Sequence, residues 1–378
     1  MSLMEFPCPC KFHMPLLLLS IAITIFDPAL ATKDCYFPAI FNFGASNADT
    51  GGFAAAFQAP PSPNGQTFFH RPSGRLCDGR LIIDFMGQSI ALPLLNPYLD
   101  SLGTNFTHGA NFATVASTII PQRSVVPLGV FSPFSLGVQV TQFRGGVFAT
   151  LIPKEEYFHT ALYTFDIGQN DLTAGFLGNA TLQQVNASVP NIINNFTENV
   201  KNIYNLGARS FWIYNTGPIG CLPLILANFP SAEKDSYGCA KQYNAVAQNF
   251  NQKLKEALAQ LRVNLALAAI TYVDVYSAKY ILFSNPEKYG FEHPHVACCG
   301  YGGDYNYNNN VGCGGTIKVN GTEIFVGSCE NPSVRVIWDG IHYTEAANKV
   351  VFDKISTGKF SDPPIPLNMA CYRNFPRH

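Results

Sequence analysis

The sequence predicts an α/β fold with a central, mostly parallel sheet between layers of helices. Short apolar segments of strand character alternate with long segments of helical periodicity, a pattern typical of parallel sheets covered by helices. A candidate nucleophile, Ser46, stands near one end of the chain, and a candidate acid–base pair, Asp339 and His342, stands near the other. If these residues form one site, the chain must fold back on itself. Residues 32–378 are therefore predicted to form a single domain.

The first predicted strand, Tyr36–Asn42, runs into a sharp turn that carries Ser46. Gly44 marks this turn, since glycine takes backbone angles that other residues avoid. A small polar nucleophile at the end of a strand is how open α/β folds expose a reactive side chain. The later predicted strands are short apolar runs: Ala161–Ile167, Ser210–Tyr214 and Ala268–Val275.

The predicted helices have apolar residues at three- and four-residue steps. They span Leu81–Ala91, Gln139–Phe148, Leu182–Leu206, Tyr237–Leu261 and Thr344–Ser356. The third begins after Thr181, a capping residue, and ends before Gly207. Asn64–Arg75 is predicted to be a loop, and Val125–Gly146 is either a substrate-facing loop or a surface cover. Asn285–Cys329 is predicted to be a loop region held by disulfides.

The N-terminal segment, residues 1–31, has the form of a secretory signal peptide. Lys11 precedes an apolar run, Pro15–Phe26, and Ala29-Leu30-Ala31 offers a small-x-small cleavage site. The run is too short to predict a membrane span, and a retained anchor is the alternative. The sequence carries no KDEL-like signal, so export is expected.

Export implies that most of the cysteines are oxidised. Eleven cysteines are present, and Cys8 and Cys10 would leave with the signal peptide, so nine remain. An odd number leaves at least one cysteine without an intramolecular partner. Four of the nine cluster in Asn285–Cys329 without the matched Cys-x-x-Cys spacing of a zinc site. Disulfides are therefore favoured there, and no metal or cofactor is predicted.

Five Asn-x-Ser/Thr acceptors without proline are candidates for N-glycosylation, and each must be exposed if it is used. They are Asn105, Asn179, Asn186, Asn195 and Asn320. The formal net charge is −1 and there is no basic run, so nothing predicts a nucleic-acid partner.

Asp339 and His342 lie three residues apart in a predicted turn before the last helix. This spacing lets the carboxylate hold one imidazole nitrogen and leaves the other facing a substrate, as a serine nucleophile requires. Each residue alone also has an ordinary interpretation, because a serine after glycine is commonly a turn residue and a histidine is commonly structural. Only in combination do the two stretches favour a triad of Ser46, His342 and Asp339.

Four sequence blocks together carry a family resemblance. They are the turn around Ser46, the segment His108–Thr114, the segment Asp166–Asp171 and the stretch around His342. In this order they resemble the plant GDSL esterase/lipase family of the SGNH hydrolase superfamily. Three further segments resemble its early-nodulin-like branch, which includes a latex allergen esterase and α-fucosidase-like members: Phe68–Arg71, Asn215–Cys221 and Leu367–Cys371.

The resemblance implies a three-layer α/β/α, flavodoxin-like SGNH-hydrolase fold and a secreted serine esterase or lipase. The oxyanion hole would consist of the backbone N–H groups of Ser46 and Ala116 and the side-chain amide of Asn170. The substrate would be a small-molecule ester of a plant lipid, sugar or specialised metabolite. The protein would be a monomer without a stable membrane anchor, located in the apoplast or cell wall, with the vacuole as the alternative.

The chain departs from the family pattern at two positions. Ala45 replaces the aspartate of the Gly-Asp-Ser motif, which puts the rate in question more than the reaction type. Ala116 stands where relatives usually have glycine, so the oxyanion hole is expected to be strained or shifted. Cys77, where relatives usually have no cysteine, is the candidate for the unpaired thiol.

Two other functions are compatible with the same residues. An acyltransferase would pass the acyl group from Ser46 to an alcohol instead of water. A weakly active or inactive relative would serve as a binding or defence protein. Retention of four residues favours an active enzyme instead: Ser46, Asn170, Asp339 and His342. A glycosidase is not favoured, because no pair of carboxylates has a sequence argument for flanking a glycosidic bond.

Overall fold

The computed structural model describes residues 34–122, 131–148 and 157–373. The described residues from Cys35 onward form one compact unit of the chain. The predicted signal peptide and its cleavage site lie outside the described residues and remain predictions. In the part of the chain that is described, no helix is both long enough and apolar enough to cross a bilayer.

The core is a six-stranded sheet with the strand order β2-β1-β3-β4-β5-β8. Its members are β1 (Ile40–Gly44), β2 (Gly109–Asn111), β3 (Leu162–Asp166), β4 (Ser210–Tyr214), β5 (Ala269–Val273) and β8 (Ser361–Asp362). The first five run parallel, and only β8 pairs antiparallel, at the edge beside β5. The predicted mostly parallel sheet is therefore confirmed. A separate hairpin consists of β6 (Thr316–Val319) and β7 (Thr322–Phe325).

Helices cover both faces of the sheet. They are α1 (Gly52–Ala56), α2 (Ile82–Ser89), α3 (Leu136–Phe148), α4 (Gln169–Leu177), α5 (Leu182–Asn205), α6 (Pro223–Asn228), α7 (Lys241–Asn264), α8 (Val275–Ser284) and α9 (Glu345–Ile355). Alternate strand residues point to opposite faces. Phe41 and Phe43 pack in the apolar cluster that contains buried residues of α3, α5 and α7. Ile40 packs in the opposite cluster, with α2, α8 and α9, which gives the three layers.

Several element boundaries differ from the predictions. β1 begins at Ile40 rather than Tyr36, and α7 begins at Lys241 rather than Tyr237. The later start of α7 has a local cause, because Cys239 is tied to Cys221 and the neighbouring Ala240 forms a bridge with Lys234. α3 begins at Leu136, three residues before the predicted Gln139 and inside the segment Val125–Gly146, of which 125–130 lie outside the described residues.

Two helices that border the sheet were missed. α4 follows Gly168, which was interpreted as the end of a strand, and α8 follows directly on β5. α4 is nine residues long and α8 ten, so each offers few turns over which a helical period can be recognised. The missed α4 matters, because it carries Asn170 in its first turn.

The described cysteines form four disulfides: Cys35–Cys371, Cys221–Cys239, Cys298–Cys329 and Cys299–Cys313. The two last pairs lie within the loop region 285–329, as the prediction of a disulfide-held region required. Cys77 is free and buried, which confirms the candidate for the unpaired thiol.

Candidate active site

The turn that carries Ser46 leaves the sheet at the carboxyl end of β1. The Ala45 N–H donates to the carbonyl of Asp166 on β3 at 3.0 Å, and the Ala48 N–H donates back to the Ala45 carbonyl at 3.0 Å. A Cβ on Gly44 would lie 2.6 Å from the Asp166 carbonyl oxygen. Gly44 does not have a positive φ, so it is required for the close approach of β3 and not, as predicted, for unusual backbone angles.

Buried amide side chains hold this turn in place by hydrogen bonds. Gln139 accepts from the Gly44 N–H at 2.9 Å and donates to the Gly44 carbonyl at 2.8 Å. Asn42 donates to Asn111 at 2.7 Å, and Asn111 in turn donates to the Ala48 carbonyl at 2.7 Å. Sequence reasoning missed these three amides. The available signal was Asn42, a polar residue inside an apolar strand, because a buried amide requires partners.

Asp339 and His342 have the geometry that their spacing predicted. One carboxylate oxygen of Asp339 lies 2.7 Å from His342 Nδ1, and the other accepts the backbone N–H groups of Ile341 and His342 at 3.0 and 2.9 Å. Burial acts to raise the pKa of Asp339, but the His342 ring and these hydrogen bonds together hold it below its ordinary value. The pair therefore presents an oriented imidazole with an ionised carboxylate behind it.

The second imidazole nitrogen, Nε2 of His342, is buried and has no hydrogen-bond partner among the described residues. His342 and Ser46 both line a cavity of about 350 Å³. Catalytic hydrogen bonds are often unformed before a substrate binds, so an unpartnered Nε2 on a histidine that shares a cavity with a serine is compatible with proton transfer. Although Ser46 and His342 are nearly three hundred residues apart, the fold brings them to one cavity.

The three predicted oxyanion donors line this cavity as well. The backbone N–H groups of Ser46 and Ala116 have no acceptor among the described residues, although both residues are buried. Buried unpaired N–H groups are rare, so these two donors are available for a ligand. Asn170 donates one amide hydrogen to the Ser117 carbonyl at 2.9 Å and keeps a second one.

The cavity lining has an apolar part and an amide-rich part. Thr173, Ala174 and Leu177 of α4 contribute to the apolar wall together with Leu224 and Ile341. The segment Tyr307–Cys313 forms another part of the wall and contains three consecutive asparagines. Its end is anchored by the Cys299–Cys313 disulfide, so the disulfide-held loop region shapes the cavity.

Removing the Cys299–Cys313 disulfide by replacing both residues with alanine is expected to weaken substrate binding more than it slows the chemical step. The disulfide fixes the cavity wall and lies outside the triad. Ordering one wall residue upon binding costs about 1–2 kcal/mol, so KM is expected to rise by about tenfold with kcat little changed. Steady-state kinetics on a soluble ester measures this.

The matched control is the Cys221–Cys239 disulfide, which closes a loop of similar length and does not line the cavity. Its removal is expected to lower the thermal midpoint but to leave KM unchanged. Equal KM changes in both variants would contradict a specific role for the Cys299–Cys313 wall.

Asp49 is a buried carboxylate directly behind the serine turn, with a pKa raised from 3.8 to about 6. Burial raises this pKa, and hydrogen bonds from four backbone N–H groups lower it only in part. The folded state therefore holds the proton more tightly than the unfolded chain does. The stability contributed by Asp49 is fully present below pH 4 and is lost as the pH rises through 6.

This linkage predicts a pH-dependent difference between the wild type and Asp49→Asn. Between pH 4 and 7, the unfolding free energy of the wild type is expected to fall by about 2 kcal/mol more than that of the variant. Urea denaturation at both pH values measures the difference. Parallel curves for the two proteins would show that Asp49 ionises in the folded state as it does in the unfolded chain.

Comparison with known proteins shows which sequences this chain is similar to. Residues 40–355 match the family GDSL-like Lipase/Acylhydrolase. The GDSL esterase/lipase ENOD8 of Medicago truncatula is 66% identical, covering 96% of this chain and 97% of its own. An esterase of Hevea brasiliensis is 60% identical over 98% and 97% of the two chains. A protein of Arabidopsis thaliana named Alpha-L-fucosidase 3 is 50% identical over 92% and 95%.

Among solved structures, an extracellular lipase from Streptomyces rimosus aligns with 72% of this chain and 91% of its own, at 11% identity and a TM-score of 0.33. The family match spans most of the chain, and the relatives from plants are similar over nearly their whole length. The chain therefore belongs to the GDSL-like lipase/acylhydrolase family and is an ester-hydrolysing enzyme.

Proposed function

We propose that the protein is a secreted serine esterase or lipase whose catalytic triad is Ser46, His342 and Asp339. One observation carries the proposal. Asp339 holds Nδ1 of His342 at 2.7 Å, Nε2 is buried without a partner among the described residues, and His342 and Ser46 line the same cavity. A structural histidine would be expected to have a partner on each buried ring nitrogen, whereas a general base needs one nitrogen free.

In this mechanism the Ser46 hydroxyl oxygen attacks the carbonyl carbon of the ester. Nε2 of His342 takes the hydroxyl proton and then gives it to the departing alcohol. Asp339 orients the ring and stabilises its charged form. Water then hydrolyses the acyl-enzyme by the same steps, and Ser46 is regenerated.

Negative charge develops on the former carbonyl oxygen in each tetrahedral intermediate. The proposed donors to this oxyanion are the backbone N–H groups of Ser46 and Ala116 and the amide of Asn170. A single donor of this kind contributes about 3 kcal/mol to lowering the barrier. No cofactor is needed for this chemistry.

The cavity favours an ester of moderate size, from a plant lipid, sugar or specialised metabolite. Its apolar wall suits an acyl chain, and the amide-rich segment Tyr307–Cys313 suits a polar alcohol. Hydrolysis of a glycosidic bond is not favoured, although one relative carries a fucosidase name. Asp339 is the one carboxylate among the described lining residues, and it is hydrogen-bonded to His342. A glycosidase requires two carboxylates at the scissile bond.

Secretion is supported by the four disulfides, since such pairs persist in oxidising compartments. We place the protein in the apoplast or cell wall, with the vacuole as the alternative, as a monomer without a stable membrane anchor. No nucleic-acid partner is proposed.

We propose that three of the five glycosylation acceptors carry glycans: Asn105, Asn179 and Asn320. All three are exposed, and Asn320 lies at the tip of the β6–β7 hairpin. Asn186 and Asn195 are half-buried within α5, and Asn186 accepts a hydrogen bond from Asn249. Glycopeptide mass spectrometry of the secreted protein distinguishes the two groups.

The test of the proposed function combines covalent labelling with an ester panel. A serine-directed fluorophosphonate is expected to label the wild type at Ser46 and to leave Ser46→Ala unlabelled. The panel runs from short nitrophenyl esters to long-chain lipids, with an added alcohol to reveal acyl transfer. Equal hydrolysis by both proteins, or a wild type that remains unlabelled, would contradict the triad.

A further inference from the structure

The segment that carries Ala116 adopts an unfavourable backbone conformation without support from a helix or strand. We call this segment, Val115–Ile120, the oxyanion strap; it lies between β2 and α3 and is irregular throughout. Ala116 has a φ of 61°, in the left-handed region that residues with a Cβ rarely adopt. Contacts outside the strap must therefore hold this conformation.

One such contact comes from the serine turn. Asp49 accepts the backbone N–H of Val115 at 2.9 Å, immediately before Ala116. The same carboxylate accepts the N–H groups of Gly51 and Gly52 at 2.7 and 2.5 Å, and that of Phe53 at 3.1 Å. A single buried side chain thus connects the start of the oxyanion strap to the chain just behind Ser46.

The other end of the strap is held from α4. Asp171 accepts the N–H groups of Ile119 and Ile120 at 2.9 and 3.1 Å. Its neighbour Asn170 donates to the carbonyl of Ser117 in the middle of the strap. The strap is therefore connected to α4 as well as to the serine turn.

Neither carboxylate forms an ion pair with a described residue. Burying a carboxylate without a cation is costly unless hydrogen bonds compensate, and bonds from N–H groups to a charged acceptor are the stronger kind. Asp49 is buried and Asp171 is half-buried, and both accept hydrogen bonds from backbone N–H groups. This arrangement suits side chains that fix backbone geometry.

We propose that Asp49 and Asp171 are positioning residues that hold the oxyanion strap at its two ends, so that Ala116 keeps the left-handed conformation in which its N–H serves the oxyanion hole. The proposal rests on the proposed function of Ser46. It explains how an alanine can serve the hole in this conformation, since the two carboxylates offset the backbone strain that a glycine at position 116 would not have.

The test uses the full chain with Asp49→Asn and Asp171→Asn, each alone and combined with Ala116→Gly. In Asp49→Asn, the side-chain NH₂ group replaces one acceptor oxygen and faces backbone N–H groups that need an acceptor. The strap should therefore loosen. Activity is measured on a short nitrophenyl ester, and each kcat is divided by the number of sites that a fluorophosphonate labels at completion. This correction removes any loss that is due to misfolded protein.

Each single variant is expected to lower kcat per labelled site by about 10- to 100-fold, with KM nearly unchanged, because oxyanion contacts act in the transition state. Ala116→Gly is expected to restore at least about fivefold in both backgrounds, because glycine adopts this conformation without strain. A residue with only a general structural role would not show this rescue.

Asp274→Asn is the matched control. Asp274 accepts the N–H of Ser277 at the start of α8 and does not line the cavity. Its variant is expected to keep the wild-type kcat. If Asp49→Asn does not fold, Asp171→Asn and its rescue decide the question alone, since the two side chains hold opposite ends of the strap.

A kcat per labelled site within twofold of the wild type, or a loss that Ala116→Gly does not repair, would overturn the positioning role. A wild type that is not labelled at Ser46 would overturn the proposed function, and the positioning role with it. The two failures are therefore distinguishable.

Discussion

Asp339→Asn is expected to lower kcat by about 10⁴-fold while leaving the surrounding turn intact. The carboxylate oxygen that accepts the N–H groups of Ile341 and His342 would be replaced by the amide oxygen, which accepts them equally well. The amide nitrogen then faces Nδ1 of His342 and donates to it. The imidazole must therefore carry its proton on Nε2, and in that tautomer it cannot take the proton from Ser46.

Steady-state kinetics, together with thermal unfolding, measures this effect. Asp339→Ala is the informative comparison, because it removes both the orientation of the ring and the two backbone contacts. We expect Asp339→Ala to lower the thermal midpoint and Asp339→Asn to leave it nearly unchanged. Retention of more than a tenth of the wild-type kcat in Asp339→Asn would show that another group orients His342.

Gly44→Ala is expected to lower kcat/KM by about 100-fold, since a misplacement of about 1 Å at a reacting group has this effect. The added Cβ would meet the backbone carbonyl of Asp166 at 2.6 Å, and a backbone atom in the middle of the sheet cannot move aside. The strand end that carries Ser46 must shift instead. Overpacking of this kind also lowers the unfolding free energy by about 1–3 kcal/mol.

Gly145→Ala is the control for the same chemical change. Gly145 lies in α3, its φ is not positive, and no atom lies within 4 Å of an added Cβ. Alanine is favoured over glycine inside a helix by about 1 kcal/mol, so this variant is expected to be at least as stable as the wild type. If both variants retain full activity, the close approach of β3 does not position Ser46.

The absence of the family aspartate at Ala45 becomes understandable from the contacts of the turn. The turn is held by Gln139 on Gly44, by the amides of Asn42 and Asn111 below, and by the Asp166 carbonyl beside it. None of these contacts uses the side chain at position 45. The turn is therefore held without a carboxylate at position 45, and the effect of Ala45 on the rate remains a prediction.

The alternation of apolar strands with periodic helices determined the fold class. The apolar periods of a strand and of a helix can both be recognised from residues that are close together in the sequence. The spacing of Asp339 and His342 likewise predicted their contact, since three residues in a turn place the two side chains side by side. Ser46 was a candidate because it follows the end of a predicted strand, whereas the roles of Asn170 and Ala116 came from the resemblance to a family. That these residues lie close together was an inference from the need for one site.

Other features were decided by the tertiary structure alone. The contact between Asp49 and Val115 joins residues 66 positions apart, and no local pattern indicates it. The same holds for the disulfide pairs, for the partners of the amides that contact the serine turn and for the reason that Gly44 is glycine. Each depends on which distant segments pack together, because packing decides which backbone groups are buried and which atoms approach closely.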